Sequence, residues 1–285
     1  MKAFLIPLAA GLAFAGNVYA QSAETISNSP APAFIGVPDA AATPPQPNAV
    51  VFNNGPLVNS PGTGPGGSDE SLLQDSTLGM STYGFNHGAT GSFRVADDFT
   101  VPSGGWNITN VTLYAYQTGS TTTSTITSVT LRIWNGVPGA PGSTVVFGDT
   151  TTNRLSNTTW SGIYRGLLSA PGATNRPVMA NTVAINTALP PGTYWMDWNT
   201  GGSLASGPWA PPVTINGQAV TGNGLQFDGA AWNPLNDGTS QQALPFVIEV
   251  ADAPAVSVST LNRDGLLLLG LLLAIGGAVM VARRS

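Results

Sequence analysis

Residues 93–101 read Phe93-Arg94-Val95-Ala96-Asp97-Asp98-Phe99-Thr100-Val101. Phe93, Val95, Phe99 and Val101 share one parity, and along a strand one parity means one face. Asp97 shares that parity, so the same reading turns it inward and Asp98 outward. Val111, Leu113 and Ala115 repeat the alternation, as do Val129, Leu131 and Ile133. Further strand-like runs fall at 49–52, 144–147, 162–165, 178–185, 193–198, 213–215, 224–227 and 245–250. Residues 71–74 read as a short helical turn. Clusters such as Asn135-Gly136, Pro138-Gly139, Pro190-Pro191-Gly192 and Asp237-Gly238 separate the runs. About ten short strands with no long amphipathic helix between them predict an all-β fold, an antiparallel two-sheet sandwich of jelly-roll type, over residues 49–251.

Outward from this domain, composition narrows the function classes. Of 285 residues only 8% are charged, against about 25% in an ordinary soluble domain. Residues 21–258 hold thirteen acids against five arginines and no lysine, a balance of about −8. Without a basic cluster to neutralise phosphates, nucleic acid is not an expected partner. The chain has no cysteine, which removes disulfides, zinc–thiolate sites and thiol nucleophiles.

The two ends carry export signals. Residues 1–20 pair Lys2 with an apolar run and the small-residue site Val18-Tyr19-Ala20, the layout of a signal peptide. Residues 21–48 are rich in Pro, Ala, Ser and Thr without apolar periodicity and read as a flexible leader. At the other end, residues 252–264 form a spacer, 265–282 an apolar segment and 283–285 a basic tail. Eighteen helical residues reach about 27 Å, close to the hydrocarbon thickness of a bilayer. Arg283 and Arg284 hold their side in the cytoplasm, leaving the body outside.

The run Val258-Ser259-Thr260-Leu261-Asn262-Arg263-Asp264-Gly265, with the leucines and arginines that follow, resembles the IPTL-CTERM sorting tail of Gram-negative bacteria. Val258, Thr260, Leu261 and Gly265 match its (I/V)PTLSxWG pattern in place, while Ser259, Asn262 and Asp264 replace its proline, serine and tryptophan. The resemblance implies an exosortase-type membrane transpeptidase as partner. It also implies an inner-membrane-anchored precursor passed on to the cell surface or extracellular matrix. Residues 94–101 and 189–195 are similar to phrases in secreted bacterial β-domain proteins that carry sorting tails, which implies compartment and fold but no activity.

Candidate chemistry is sparse. His87, the single histidine, lies in a turn-like stretch, and no Gly-x-Ser-x-Gly elbow accompanies it. No pattern predicts a pair of carboxylates for hydrolysis, although a fold can bring Asp97 and Asp197 together. The expected protein is therefore non-enzymatic and without a cofactor. Asp97 and Asp98 suit a structural calcium, the one metal candidate. An inward Asp97 needs Arg94, Arg132, backbone donors or a metal to compensate it. Trp195, Trp198, Trp209 and Trp232 crowd into 38 residues, and Trp209 and Trp232 are the candidates for stacking on sugar rings of an exopolysaccharide.

Overall fold

The structure is a computed structural model that describes residues 23–25 and 49–251. The expected signal peptide at 1–20, most of the expected leader at 21–48, the expected spacer at 252–264, the apolar segment at 265–282 and the expected sorting residues Val258, Thr260, Leu261, Gly265, Arg283 and Arg284 lie outside the described residues. Among the described residues, no helix is long and apolar enough to cross a membrane.

The described chain is all-β. One six-stranded sheet runs in the spatial order β2 (Ala49–Asn53), β17 (Phe246–Val250), β6 (Trp106–Ala115), β10 (Pro177–Leu189), β9 (Leu155–Leu167) and β3 (Asp69–Leu73). A second runs β14 (Trp232–Pro234), β13 (Leu225–Phe227), β5 (Arg94–Val101), β11 (Gly192–Gly202), β7 (Ile126–Trp134) and β8 (Val145–Gly148). Their facing sides share one core. Val95, Phe99 and Val101 of β5, Val129, Leu131 and Ile133 of β7, and Met196 and Trp198 of β11 meet Ile108, Val111 and Leu113 of β6 and Phe246 and Ile248 of β17. Phe99, from the run that opened the reading, is the aromatic hub. Its ring centroid lies 5.8 Å from Tyr194 and 6.3 Å from Phe52, Trp106 and Phe246.

A smaller sheet of β1 (Ala23–Thr25), β4 (Thr82–Asn86) and β12 (Trp209–Ala210) and the hairpin of β15 (Asn236–Asp237) and β16 (Ser240–Gln241) complete the described strands. Two polar residues secure the smaller sheet. Glu24 of β1 accepts from the Tyr116 hydroxyl, the Thr118 hydroxyl and Arg176 Nε. Arg165 of β9, only 1% exposed, donates to the carbonyls of Ser71, Thr82 and Tyr83. Burial lowers its guanidinium to about 10, which still leaves it charged at neutral pH.

Several expectations need correction. Residues 71–74 do not form a helical turn: β3 is a strand, and the helical turn α1 (Asp75–Leu78) follows it. Ser71, Leu72 and Leu73 are all buried, so this strand is covered on both faces and shows no alternation. The sheets are not wholly antiparallel, because β3 runs parallel to β9. Residues 213–215 form no strand. The Val213 amide donates to Ala243 and the Thr214 amide to Pro56, so the bonds diverge to two segments instead of forming a ladder. Inside the 21–48 leader, Ala23–Thr25 pairs with β4.

One glycine is sterically required near the surface analysed below. Gly148 ends β8 at φ +82°, and a Cβ there falls 2.1 Å from the Leu131 carbonyl oxygen. Gly148→Ala combines left-handed strain with a backbone clash and is expected to destabilise the domain by about 2 kcal/mol or more, measured by urea unfolding of the full chain in detergent. An unchanged midpoint would mean that β8 does not lie this close to β7.

Candidate functional site

The core-facing parity of β5, β11 and β7 leaves the alternate residues on the outer face of the second sheet. Asp197 sits there at the middle of β11, opposite Ala96 on one side and Arg132 on the other. Its side chain is fully buried and accepts from three side chains. Arg94 Nε donates to one oxygen. Arg132 Nε, at 2.9 Å, and Trp134 Nε1 donate to the other. Arg94 also donates through Nη1 to the Thr130 hydroxyl at 3.0 Å and through Nη2 to the carbonyls of Thr130 and Asp197. Thr130 in turn donates to Asn199 Oδ1 at 2.7 Å. Burial lowers the Arg94 guanidinium from its ordinary value, and the Asp197 charge opposes the shift.

This network floors a cleft of about 530 Å³, within the range of roughly 300–1,000 Å³ common for small-molecule sites. Ala89 and Ser92 border it on one side, and Thr150, Thr151 and Asn153 on another. Each bordering loop is tied to a strand: the Ala89 amide donates to the Thr200 carbonyl, and Asn153 Oδ1 accepts from the Val129 amide. Phe227 of β13, opposite Arg94, adds an apolar wall, with Trp232 packed at 5.4 Å between ring centroids. At the rim, the backbone amides of Thr152 and Thr151 hold the Asp149 carboxyl well below the usual carboxylate range, and Arg154 pairs with it at 3.3 Å.

The residues singled out from sequence fall elsewhere. Asp97 points into the core, 1% exposed, while Asp98 on the next position is half-buried. Neither Arg94 nor Arg132 compensates Asp97. Asn54 Nδ2, the Leu244 amide and the Asp98 amide do so at 2.7–2.9 Å. Asp97 therefore points to the face opposite both Asp98 and Asp197, and neither an Asp97–Asp98 chelate nor an Asp97–Asp197 pair is assembled. Among the described residues, no three His, Cys, Asp or Glu side chains gather as metal ligands. Trp209 is half-buried against a second apolar cluster beside Tyr116 and donates to Ser206 Oγ, whereas Trp232 backs Phe227 in another sheet. Trp195 and Trp198 are buried. His87 is fully buried, and its Nε2 has no partner among the described residues. Arg94, Thr130, Arg132, Asn199 and Phe227 were not singled out as a site. The available signal was the set of polar residues at the off-core parity of adjacent strands.

No protein family, curated protein or solved structure matches the chain.

Two predictions follow the buried charges. Asp197→Asn leaves two guanidiniums facing a neutral group and is expected to cost about 3–5 kcal/mol in denaturant unfolding. A loss under about 1 kcal/mol would contradict the pairing described. The second concerns pH. Burial, with Arg94 nearby, depresses His87 from 6.5 to about 4, so its contribution is present above about 6.5 and lost as pH falls toward 4. Burial raises Asp97 from 3.8 to about 7, so its contribution is present below about 4 and lost as pH rises through 7. Relative to the native chain, His87→Leu should gain stability between pH 7 and 4.5, and Asp97→Asn should lose it, each by about 1–3 kcal/mol. Unfolding curves that stay parallel across this window would refute both assignments.

Proposed function

We propose that the chain is an exported, non-enzymatic protein of a Gram-negative cell surface or extracellular matrix. Residues 1–20 direct export, and residues 265–282 hold a precursor in the inner membrane. An exosortase-type transpeptidase then acts at the tail containing Val258, Thr260, Leu261, Gly265, Arg283 and Arg284. Consecutive strands change sheet at β5–β6, β6–β7, β8–β9 and β10–β11, an alternation that supports a jelly-roll-like sandwich. The observation that carries the non-enzymatic reading is the disposition of the central acids. Asp97 is committed to amide donors in the core and Asp197 to three side-chain donors on the opposite face. Neither is free to move a proton on a substrate held between them.

A second reading, a carbohydrate-binding module acting on exopolysaccharide, is favoured by the outer cleft, with its amide and hydroxyl lining and its wall of Phe227. Trp232 serves this reading by backing Phe227; Trp209 belongs to a different sheet.

Expression in a Gram-negative host with and without an exosortase tests the main reading through the mass of the mature termini and protease access on whole cells. The expected product begins at Gln21 and, in the host lacking the enzyme, fractionates with membranes and is digested only once the outer membrane is permeabilised. In the host that has it, the tail is lost. A cytosolic chain retaining Met1 would end this reading.

A further inference from the structure

Cations are scarce in this domain, and their commitments differ. All five arginines between residues 21 and 258 are among the described residues. Arg94 and Arg165 use both terminal nitrogens on protein acceptors, and Arg154 and Arg176 each use one. Arg132 is different. Its Nε donates to Asp197, and neither Nη1 nor Nη2 has a protein partner among the described residues. The side chain is 21% exposed and lines the cleft. Its Cζ lies 4.8 Å from the Trp134 ring centroid, and Trp134 donates to the same Asp197 oxygen as Arg132 Nε. The guanidinium is thus held at Nε and over its flat face while its two-pronged edge is left open.

We propose that this cleft binds an acidic saccharide, with the sugar carboxylate taken by Nη1 and Nη2 of Arg132. The inference rests on the carbohydrate-binding reading and adds the ligand class and the residue that selects it. An open guanidinium edge matches a carboxylate in a bidentate, charge-assisted pair. The local charge agrees: Arg94 and Arg132 face the single carboxylate of Asp197, an excess of one positive charge. That excess lies in a chain portion whose balance is about −8, so a polyanion gains nothing from the surface at large. The remaining lining suits a sugar ring. Asn199 Oδ1 accepts from the Thr130 hydroxyl, and its amide nitrogen, without a partner among the described residues, is open to a sugar hydroxyl. Ser128 and Thr150 supply further hydroxyl groups, and Phe227 offers an apolar face to ring C–H groups.

The test is affinity electrophoresis and calorimetry on the full chain in detergent, with oligogalacturonate, its fully methyl-esterified form, alginate and neutral dextran as probes. Esterification masks the carboxylate and leaves the sugar in place. The expected result is binding to at least one of the two uronates, with esterification abolishing any binding of oligogalacturonate and with affinity falling as salt rises. Arg132→Gln should weaken the binding by about ten-fold or more. Because Arg132 also supports Asp197, Thr150→Glu provides a second variant. It adds a negative charge at an exposed rim position and should weaken binding several-fold in a fully folded chain. Equal affinity for free and esterified oligomers, native affinity in either variant, or binding to dextran alone overturns the carboxylate inference and leaves the carbohydrate reading standing. No binding to any probe overturns both.

Discussion

The carboxylate of Asp197 takes donors from both strands that flank it, and the second sheet depends on that arrangement. β11 lies between β5 and β7, and its inward residues Met196 and Trp198 pack in the shared core. A slip of one residue would carry Asp197 into that core and Met196 out of it. The apolar cost alone would oppose the slip. The charge makes it far more expensive, because an unpaired carboxylate in the core costs several kcal/mol. Hydrophobic pattern and ion pairing therefore specify the same register. The pin also creates the cleft floor, since one acid shared by two arginines leaves a guanidinium edge uncommitted.

Asp97 shows the other solution to burying an acid on the same sheet. It stands opposite Met196 on the core side and forms no ion pair among the described residues. Amide donors from Asn54, Asp98 and Leu244 surround it instead. These donors belong to the segment after β2, to β5 itself and to the approach to β17, so the carboxylate ties the first sheet to the second at one end of the core. Amides stabilise the charge less than a guanidinium does, and desolvation therefore dominates at Asp97.

Sequence alternation was enough to locate the central strands, because each of β5, β6 and β7 has one face in the shared core. It failed where both faces are covered or where a strand is very short. β3 shows no alternation because Ser71, Leu72 and Leu73 are all buried, and β12 and β16 have two residues each. β1 pairs with β4, about 60 residues on, and Glu24 takes side-chain donors about 90 residues or more away, and no local pattern announces either. The inward turn of Asp97 was legible from parity. Its partners were not, since Asn54 and the Leu244 amide are distant in sequence.

Of the tryptophans crowded between 195 and 232, Trp195 and Trp198 are covered while Trp209 and Trp232 are half-buried, for a physical reason. β11 is a central strand, so Trp198 goes into the core, while Trp195 lies on the outer face opposite Trp134 and is itself covered. Covered rings contribute area to folding and present no face to a sugar. The outer face is open instead where polar residues interrupt it and loops stand back from it. In this chain that place is the Arg94–Asp197–Arg132 row beneath the loops at 89–92 and 149–153. Its chemistry follows from which guanidinium has donors left over once the acid beneath it is satisfied.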